Sequence, residues 1–236
     1  MRKLLLSTTL LVLYTALAQG QRAVSAANWQ QHCVDLKFDD ASGQLLFGRI
    51  PEHRYVAAAE FPRWFALNSA WGEQDGLKLI GEFRDDLGML HYRYQQMHEG
   101  KEVYAAQVIS HTIEGRVVSF NGRWHEGGFP AGTATLDEPN ALNKAFEHVG
   151  AESYKWQIPE EEAEYRIIKD DPHATYAPKG RLVWLPERFA PGSGSLKLVW
   201  LFDIYAHEPM SRQNLFIDAQ TGAVLETENL IHAGDS

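Results

Sequence analysis

Three His-Glu pairs, a cysteine beside a histidine and a serine between glycines are the residues that could do hydrolytic chemistry in this chain. A zinc hydrolase built on HExxH needs two histidines one helical turn apart, with the intervening glutamate as general base. The pairs are His98-Glu99, His125-Glu126 and His207-Glu208, and the positions four after each histidine are Glu102, Phe129 and Ser211. No second ligand stands at the required spacing. Each pair also lies next to glycine or proline, which predicts surface turns rather than a metal-binding helix. Gly192-Ser193-Gly194-Ser195 lacks the G-x-S-x-G elbow of a serine hydrolase and reads as a loop. His32 and Cys33 are adjacent, so in an extended chain they point in opposite directions and cannot pair as base and nucleophile. The sequence carries no catalytic constellation.

Composition narrows the remaining classes. The 236 residues are 44% hydrophobic and 11% aromatic, ample for one large or two small cores. A net charge of −9 argues against nucleic acid and anionic membranes, which require basic patches. The ten histidines are scattered, which argues against a metal cluster. Residues 1–18 have a secretory signal pattern: Arg2 and Lys3, an apolar run, then Ala16-Leu17-Ala18, with cleavage expected between Ala18 and Gln19. This predicts a secreted chain, extracellular or periplasmic, without a membrane anchor. A lone cysteine, Cys33, allows no internal disulfide.

The elements are most legible over residues 87–124. Leu90, Tyr92 and Tyr94 alternate with His91, Arg93 and Gln95, the two-residue period of a sheet with unlike faces. Glu99-Gly100 and Glu114-Gly115 supply tight reversals, and Val103, Tyr104, Val108, Ile109 and Ile113 suit the long strand between them. Asn121-Gly122 reads as a turn closing the third strand. The pattern predicts a three-stranded antiparallel meander. His91, Arg93 and Gln95 share a face, with His111 near them across the hairpin. That face is a hydrogen-bonded polar surface of the sheet or part of a docking surface.

Gly88, Met89, His91, Arg93, Tyr94, Gln95, Gln96, Gly100, His111, Gly115, Asn121 and Gly122 in this register resemble the FTP module, the fungalysin/thermolysin propeptide domain of secreted thermolysin-like zinc peptidases. Upstream, residues 19–56 read as an N-terminal linker with at most a short element. Residues 57–71 read as a helix with Ala58, Phe61, Phe65 and Trp71 on its apolar stripe and Pro62 in its first turn. Residues 57–124 make the FTP-like domain.

The glycine-rich stretch 125–135 is the predicted boundary. Asp137 then reads as an N-cap, Ala141, Leu142, Ala145, Phe146 and Val149 as the apolar face of a helix, and Gly150 as its stop. Residues 165–168 and 180–185 are predicted strands, and Glu160-Glu161-Glu162 before them a solvated surface. Residues 196–203 are apolar on both faces, the mark of a central strand. Strands at 213–218 and 223–228 follow, joined by a turn at 219–222. A helix followed by strands ending in FIDAQTGAVLE resembles the PepSY module, so residues 136–231 form a PepSY-like domain and 232–236 a tail.

The expected fold class is α+β: two small lobes, each an antiparallel sheet with a packed helix, cystatin-like and PepSY-like. The resemblance implies a non-catalytic pro-region, without cofactor or metal of its own, that assists folding of a thermolysin-like zinc metallopeptidase catalytic domain and inhibits it. That partner would follow Ser236 in a longer precursor or be met in trans. Asn229, Leu230, Ile231, His232 and Ala233 resemble the segment leading into the mature enzyme, an expected inhibitory and processing tail. The alternative is a stand-alone secreted module that binds a peptide along a sheet edge by strand addition.

Overall fold

The computed structural model describes residues 28–40, 44–187 and 195–231. The fold is α+β. The chain divides into two compact units, residues 1–130 with 186–196, and residues 131–185 with 197–236.

In the first unit, six strands are ordered β1-β2-β6-β5-β4-β3 and every pair is antiparallel. They are β1 (Val34–Phe38), β2 (Leu45–Arg49), β3 (Asp75–Arg84), β4 (Leu90–His98), β5 (Lys101–Ile113) and β6 (Arg116–Gly122). The predicted meander is β4-β5-β6. Its two-residue loops have both central residues at positive φ, Glu99 and Gly100 at 48° and 73°, Glu114 and Gly115 at 49° and 77°. That is the primed turn whose twist matches the flanking strands.

Helix α1 (Phe61–Asn68), with Pro62 in its first turn, is shorter than the predicted 57–71. Ser69 is already extended, and Trp71 packs back on Phe65 from outside the helix. Phe61 and Phe65, one turn apart, lie fully buried with Tyr94, Val108, Val117, Phe120 and Trp124.

The predicted linker is a correction. Residues 28–32 are helical, and β1 and β2 form a hairpin whose second strand extends the meander at β6. Trp29 is completely buried at 5.2 Å from the Phe65 ring and 5.1 Å from Phe120. Polar neighbours around one anchoring tryptophan made this stretch resemble a linker.

In the second unit, β8 (Arg181–Pro186), β9 (Leu196–Glu208), β10 (Ser211–Asp218) and β11 (Val224–Asn229) are consecutive neighbours, and short β7 (Ser153–Tyr154) pairs with β9. Helix α2 (Glu138–Val149) begins as predicted: the Asp137 carboxylate accepts from Asn140 N–H at 3.0 Å. It ends at Gly150, left-handed at φ 62°. Ala141 and Ala145 pack on Phe202, Leu215 and Ile217.

A second correction concerns residues 165–168, which are not a strand. They close helix α3 (Pro159–Lys169). Pro159 and Glu160-Glu161-Glu162 occupy its first turn and Arg166 and Lys169 its last, the charge order the helix dipole favours. The β-branched pair Ile167-Ile168 suggested a strand, yet both are exposed at the helix end. The acidic run is not uniformly solvated either. Glu162 is buried, accepting from Tyr176 N–H at 2.6 Å and Arg166 at 3.1 Å, and Glu161 meets Lys155.

Candidate functional site

The motif residues converge on the β3–β6 part of the first unit. Register places Phe83, His91, His111 and Ser119 side by side across four strands. His91 and His111 therefore share a face, and their Nδ1 atoms lie 2.6 Å apart. His91 Nε2 meets Asp85 Oδ2 at 3.1 Å, and His111 Nε2 meets Asn121 Oδ1 at 2.6 Å. Phe83 stacks on the His91 ring at 4.4 Å. The result is one polar chain, Asp85–His91–His111–Asn121, running from the β3–β4 turn to β6.

Asp85 also organises that turn. Its Oδ1 accepts from Leu87 N–H at 3.0 Å and Met89 N–H at 2.9 Å, while Gly88 turns at φ 84°. The hydrogen bond from His91, then that from Met89, hold the Asp85 carboxyl below its ordinary range. Burial pushes His111 below the ordinary imidazole value of 6.5, and the bond to Asn121 opposes this. Asp85 and Phe83 were missed in the sequence. An Asp three residues before a Gly is the signature of a side chain that closes its own turn.

Gln95 and Gln96 do different work. The β4–β5 register jumps from Gln95↔Gln107 to Met97↔Glu102, leaving residues 103–106 of β5 bulged, with Ala105 at φ 56°. Gln95 Nε2 donates to the carbonyls of Val103 at 2.6 Å and Ala106 at 2.9 Å, satisfying backbone acceptors the bulge removes from the ladder. The Gln96 amide clamps the backbone of His125 at both ends, accepting from its N–H and donating to its C=O, each at 2.8 Å. Tyr94 points into the core. The Arg93 side chain is exposed and has no hydrogen bond or ion pair among the described residues.

Asn121-Gly122 is not the predicted turn. Both residues lie within β6, opposite Ile109 and Val108. Gly122 is present because a Cβ there would sit 2.1 Å from the Gln107 carbonyl oxygen.

The remaining candidates sort as follows. His98 ends β4, bonded to Asp75 at 2.7 Å and stacked on Phe129 at 3.6 Å, and His207 lies in β9, so neither is the predicted surface turn residue. Among the described residues no group of His, Cys, Asp or Glu could hold a metal. Cys33 is buried with its thiol pushed up to about 12 by desolvation, and His32 contacts Arg54 instead. This is an inert thiol.

Asn229 ends β11 opposite Gln213, and Leu230 N–H donates to Arg212 C=O at 2.8 Å. The expected free tail therefore starts later than Leu230, whose backbone donor is committed to the sheet edge. The side chains of Leu230 and Ile231 are exposed. His232 and Ala233, the Ala18/Gln19 cleavage position and Ser193 lie outside the described residues. No helix among the described residues is long and apolar enough to cross a membrane.

Residues 75–123 match the model of the family described as Fungalysin/Thermolysin Propeptide Motif, the β3–β6 region that holds the network. The thermostable neutral protease NprT of Geobacillus stearothermophilus is 26% identical over 159 residues, 67% of this chain and 26% of the relative. The chain thus spans about a quarter of that relative's length. The C-terminal domain of Bacillus megaterium YpeB aligns over 84% of this chain and 76% of its own, at 13% identity and a TM-score of 0.33. The resemblance of this chain to the pro-region of thermolysin-like peptidases is shown by the family match and the protease relative.

Proposed function

We propose that this chain is a secreted pro-region of a thermolysin-type zinc metalloendopeptidase, acting as its folding assistant and inhibitor. The catalytic domain is met in cis in a longer precursor or in trans. The observation that carries the reading is the propeptide-motif match over residues 75–123, whose matched histidines, glutamines and glycines are joined in one hydrogen-bonded set of hairpins. A pre-folded sheet of this kind offers native-like surface on which a large, slow-folding peptidase can assemble. In this reading residues 57–124 are the FTP-like part, 125–135 the joint, 136–231 the PepSY-like part and 1–18 the signal cleaved before Gln19. Residues 229–233 lead toward the cleft, with Leu230 and Ile231 as apolar anchors. So short a segment offers few contacts and binds weakly alone. Tethering to a docked module raises its effective concentration to about the millimolar range.

The test is to refold a thermolysin-like catalytic domain with and without the mature chain, then titrate the native enzyme with full-length chain and with a deletion of residues 230–236. Faster recovery of activity, and inhibition weakened by the deletion, are expected. Neither refolding assistance nor inhibition would remove the reading.

A second reading is favoured by one observation. Among the described residues β3 pairs only with β4, and Leu79, Ile80 and Phe83 on it are about half exposed (51%, 45% and 48%). Such an edge accepts an added strand, as in a stand-alone peptide-binding module. Binding of extended peptides without any effect on a peptidase would select this reading.

A further inference from the structure

The four ring nitrogens of His91 and His111 have fixed neighbours, which limits how many protons they can hold. His91 Nε2 faces a carboxylate oxygen of Asp85, so it carries hydrogen. The two Nδ1 atoms at 2.6 Å share one hydrogen, since two would collide and none would leave two lone pairs opposed. His111 Nε2 faces Asn121. With the amide oxygen toward it, this nitrogen donates, and the rings hold three hydrogens and one positive charge beside the Asp85 carboxylate. With the amide turned over, the nitrogen accepts, and the rings hold two hydrogens and no charge. A fourth hydrogen makes both rings cationic and places N–H against N–H at the shared contact.

We propose that His91 and His111 form an acid-released latch that ties the β3–β4 turn to β5 and β6. At neutral pH the Nδ1–Nδ1 bond is intact and the chain Asp85–His91–His111–Asn121 is closed. Acidification adds the fourth hydrogen, the bond breaks, and the two imidazolium rings move apart. His91 keeps its partner Asp85, so the two leave His111 together. The turn that Asp85 holds through Leu87 and Met89, and the Phe83 ring stacked on His91, lose their tie to β5.

The groups facing the pair from each packed element are Phe83 from β3, Asp85 from the turn, Arg93 two residues along β4, and Ser119 and Asn121 from β6. Asp85 is the one carboxylate among them and bonds His91, which directs the last proton to His111. The depressed His111 value agrees with this order. Partial burial of His111 on the sheet face weakens solvent screening of the second charge, which holds its protonation to lower pH. The latch stands on the chain's own groups and holds whether or not the partner is a peptidase.

The experiment is a ring-nitrogen NMR titration of the mature chain between about pH 5 and pH 8, with hydrogen exchange read at the Leu87 and Met89 amides. His111 is expected to titrate below the ordinary imidazole value of 6.5, with the Asn121 side-chain amide and the Leu87 and Met89 amides responding at the His111 step. His91→Gln, which keeps a hydrogen-bonding side chain but cannot charge, is expected to raise the His111 midpoint. His111→Gln is expected to abolish the pH response of the Leu87 and Met89 amides. An unchanged His111 midpoint in His91→Gln, or Leu87 and Met89 amides in the native chain that ignore the His111 step, would overturn the latch.

Discussion

Gly122→Ala tests the reading of the motif's last glycine as a packing position rather than a turn. In β6, Gly122 faces Val108 at φ 156°, and a Cβ would meet the Gln107 oxygen at 2.1 Å and the Val108 Cα at 2.8 Å. These are backbone atoms, so no side chain can swing away. The substitution must strain φ, at about 1–3 kcal/mol, and push β5 aside, at a further 1–3 kcal/mol or about that. The displaced residue is Gln107, whose carbonyl also accepts from Arg123 N–H at 2.9 Å, a bond of about 1 kcal/mol. The expected cost is about 3–7 kcal/mol, a large part of the roughly 5–15 kcal/mol that holds a domain folded. Gly100→Ala is the control. Gly100 has φ 73° but nothing within 4 Å of an added Cβ, so only left-handed strain of about 1–2 kcal/mol applies. The assay is hydrogen exchange at Val108, Ser110 and Phe120 against urea, which reports the β5–β6 ladder directly. Equal losses in the two variants would refute the packing argument and return Gly122 to the class of turn glycines.

Trp29→Ala is expected to destabilise the first unit by about 3–5 kcal/mol, measured by urea unfolding, whereas Trp29→Phe should cost far less because Nε1 has no partner among the described residues. Cys33 should resist alkylation in the native chain and react readily in denaturant, since burial pushes its thiol up to about 12. Acid should weaken the fold in two stages. The unfolded chain binds His protons more readily than folded His111, so that contribution is full above 6.5 and is lost as pH falls through the lowered folded value; the Asp85 contribution is full above 3.8 and is lost below it. Thermal melts of the wild type and His111→Gln over pH should differ in the first stage alone. Arg93→Ala should change stability by no more than about 0.5 kcal/mol yet weaken inhibition of a thermolysin-like peptidase; an unchanged inhibition constant would exclude Arg93 from docking.

What the sequence made legible was local. The meander follows from alternation plus two Glu-Gly reversals, and α2 from a cap, an apolar face and a stopping glycine, all within a few residues of one another. What stayed hidden depends on partners far along the chain. Trp29 reads as one aromatic residue in a polar stretch until Phe65, Phe120 and Trp124 surround it. Gly122 looks like half of a turn dipeptide until Gln107 occupies the space of its missing side chain. Helix α3 was missed for a different reason. Its signals were present in Pro159 and the three glutamates, and Ile167-Ile168 outweighed them because β-branched pairs favour strands only where a sheet can receive them. Within the network the shared face of His91 and His111 was readable from period and hairpin, and the Asp85 and Asn121 ends were not.

The motif residues then divide by what the fold asks of them. Gly100 and Gly115 make the reversals, Gly122 admits β5, Gln95 covers the bulge, Gln96 fixes the chain at His125, and His91, His111 and Asn121 close the polar chain. Each has a structural duty inside the first unit, so the motif match by itself is satisfied by a stable set of hairpins and does not require a partner. Arg93 is the exception. It sits on the strand face of His91 and Gln95, exposed and unbonded among the described residues, and an exposed arginine adds little to stability. Its planar guanidinium can hold a carboxylate through two parallel bonds. Under the proposed function, Arg93 is the motif side chain available to meet an acidic group or free carbonyls of a docked partner.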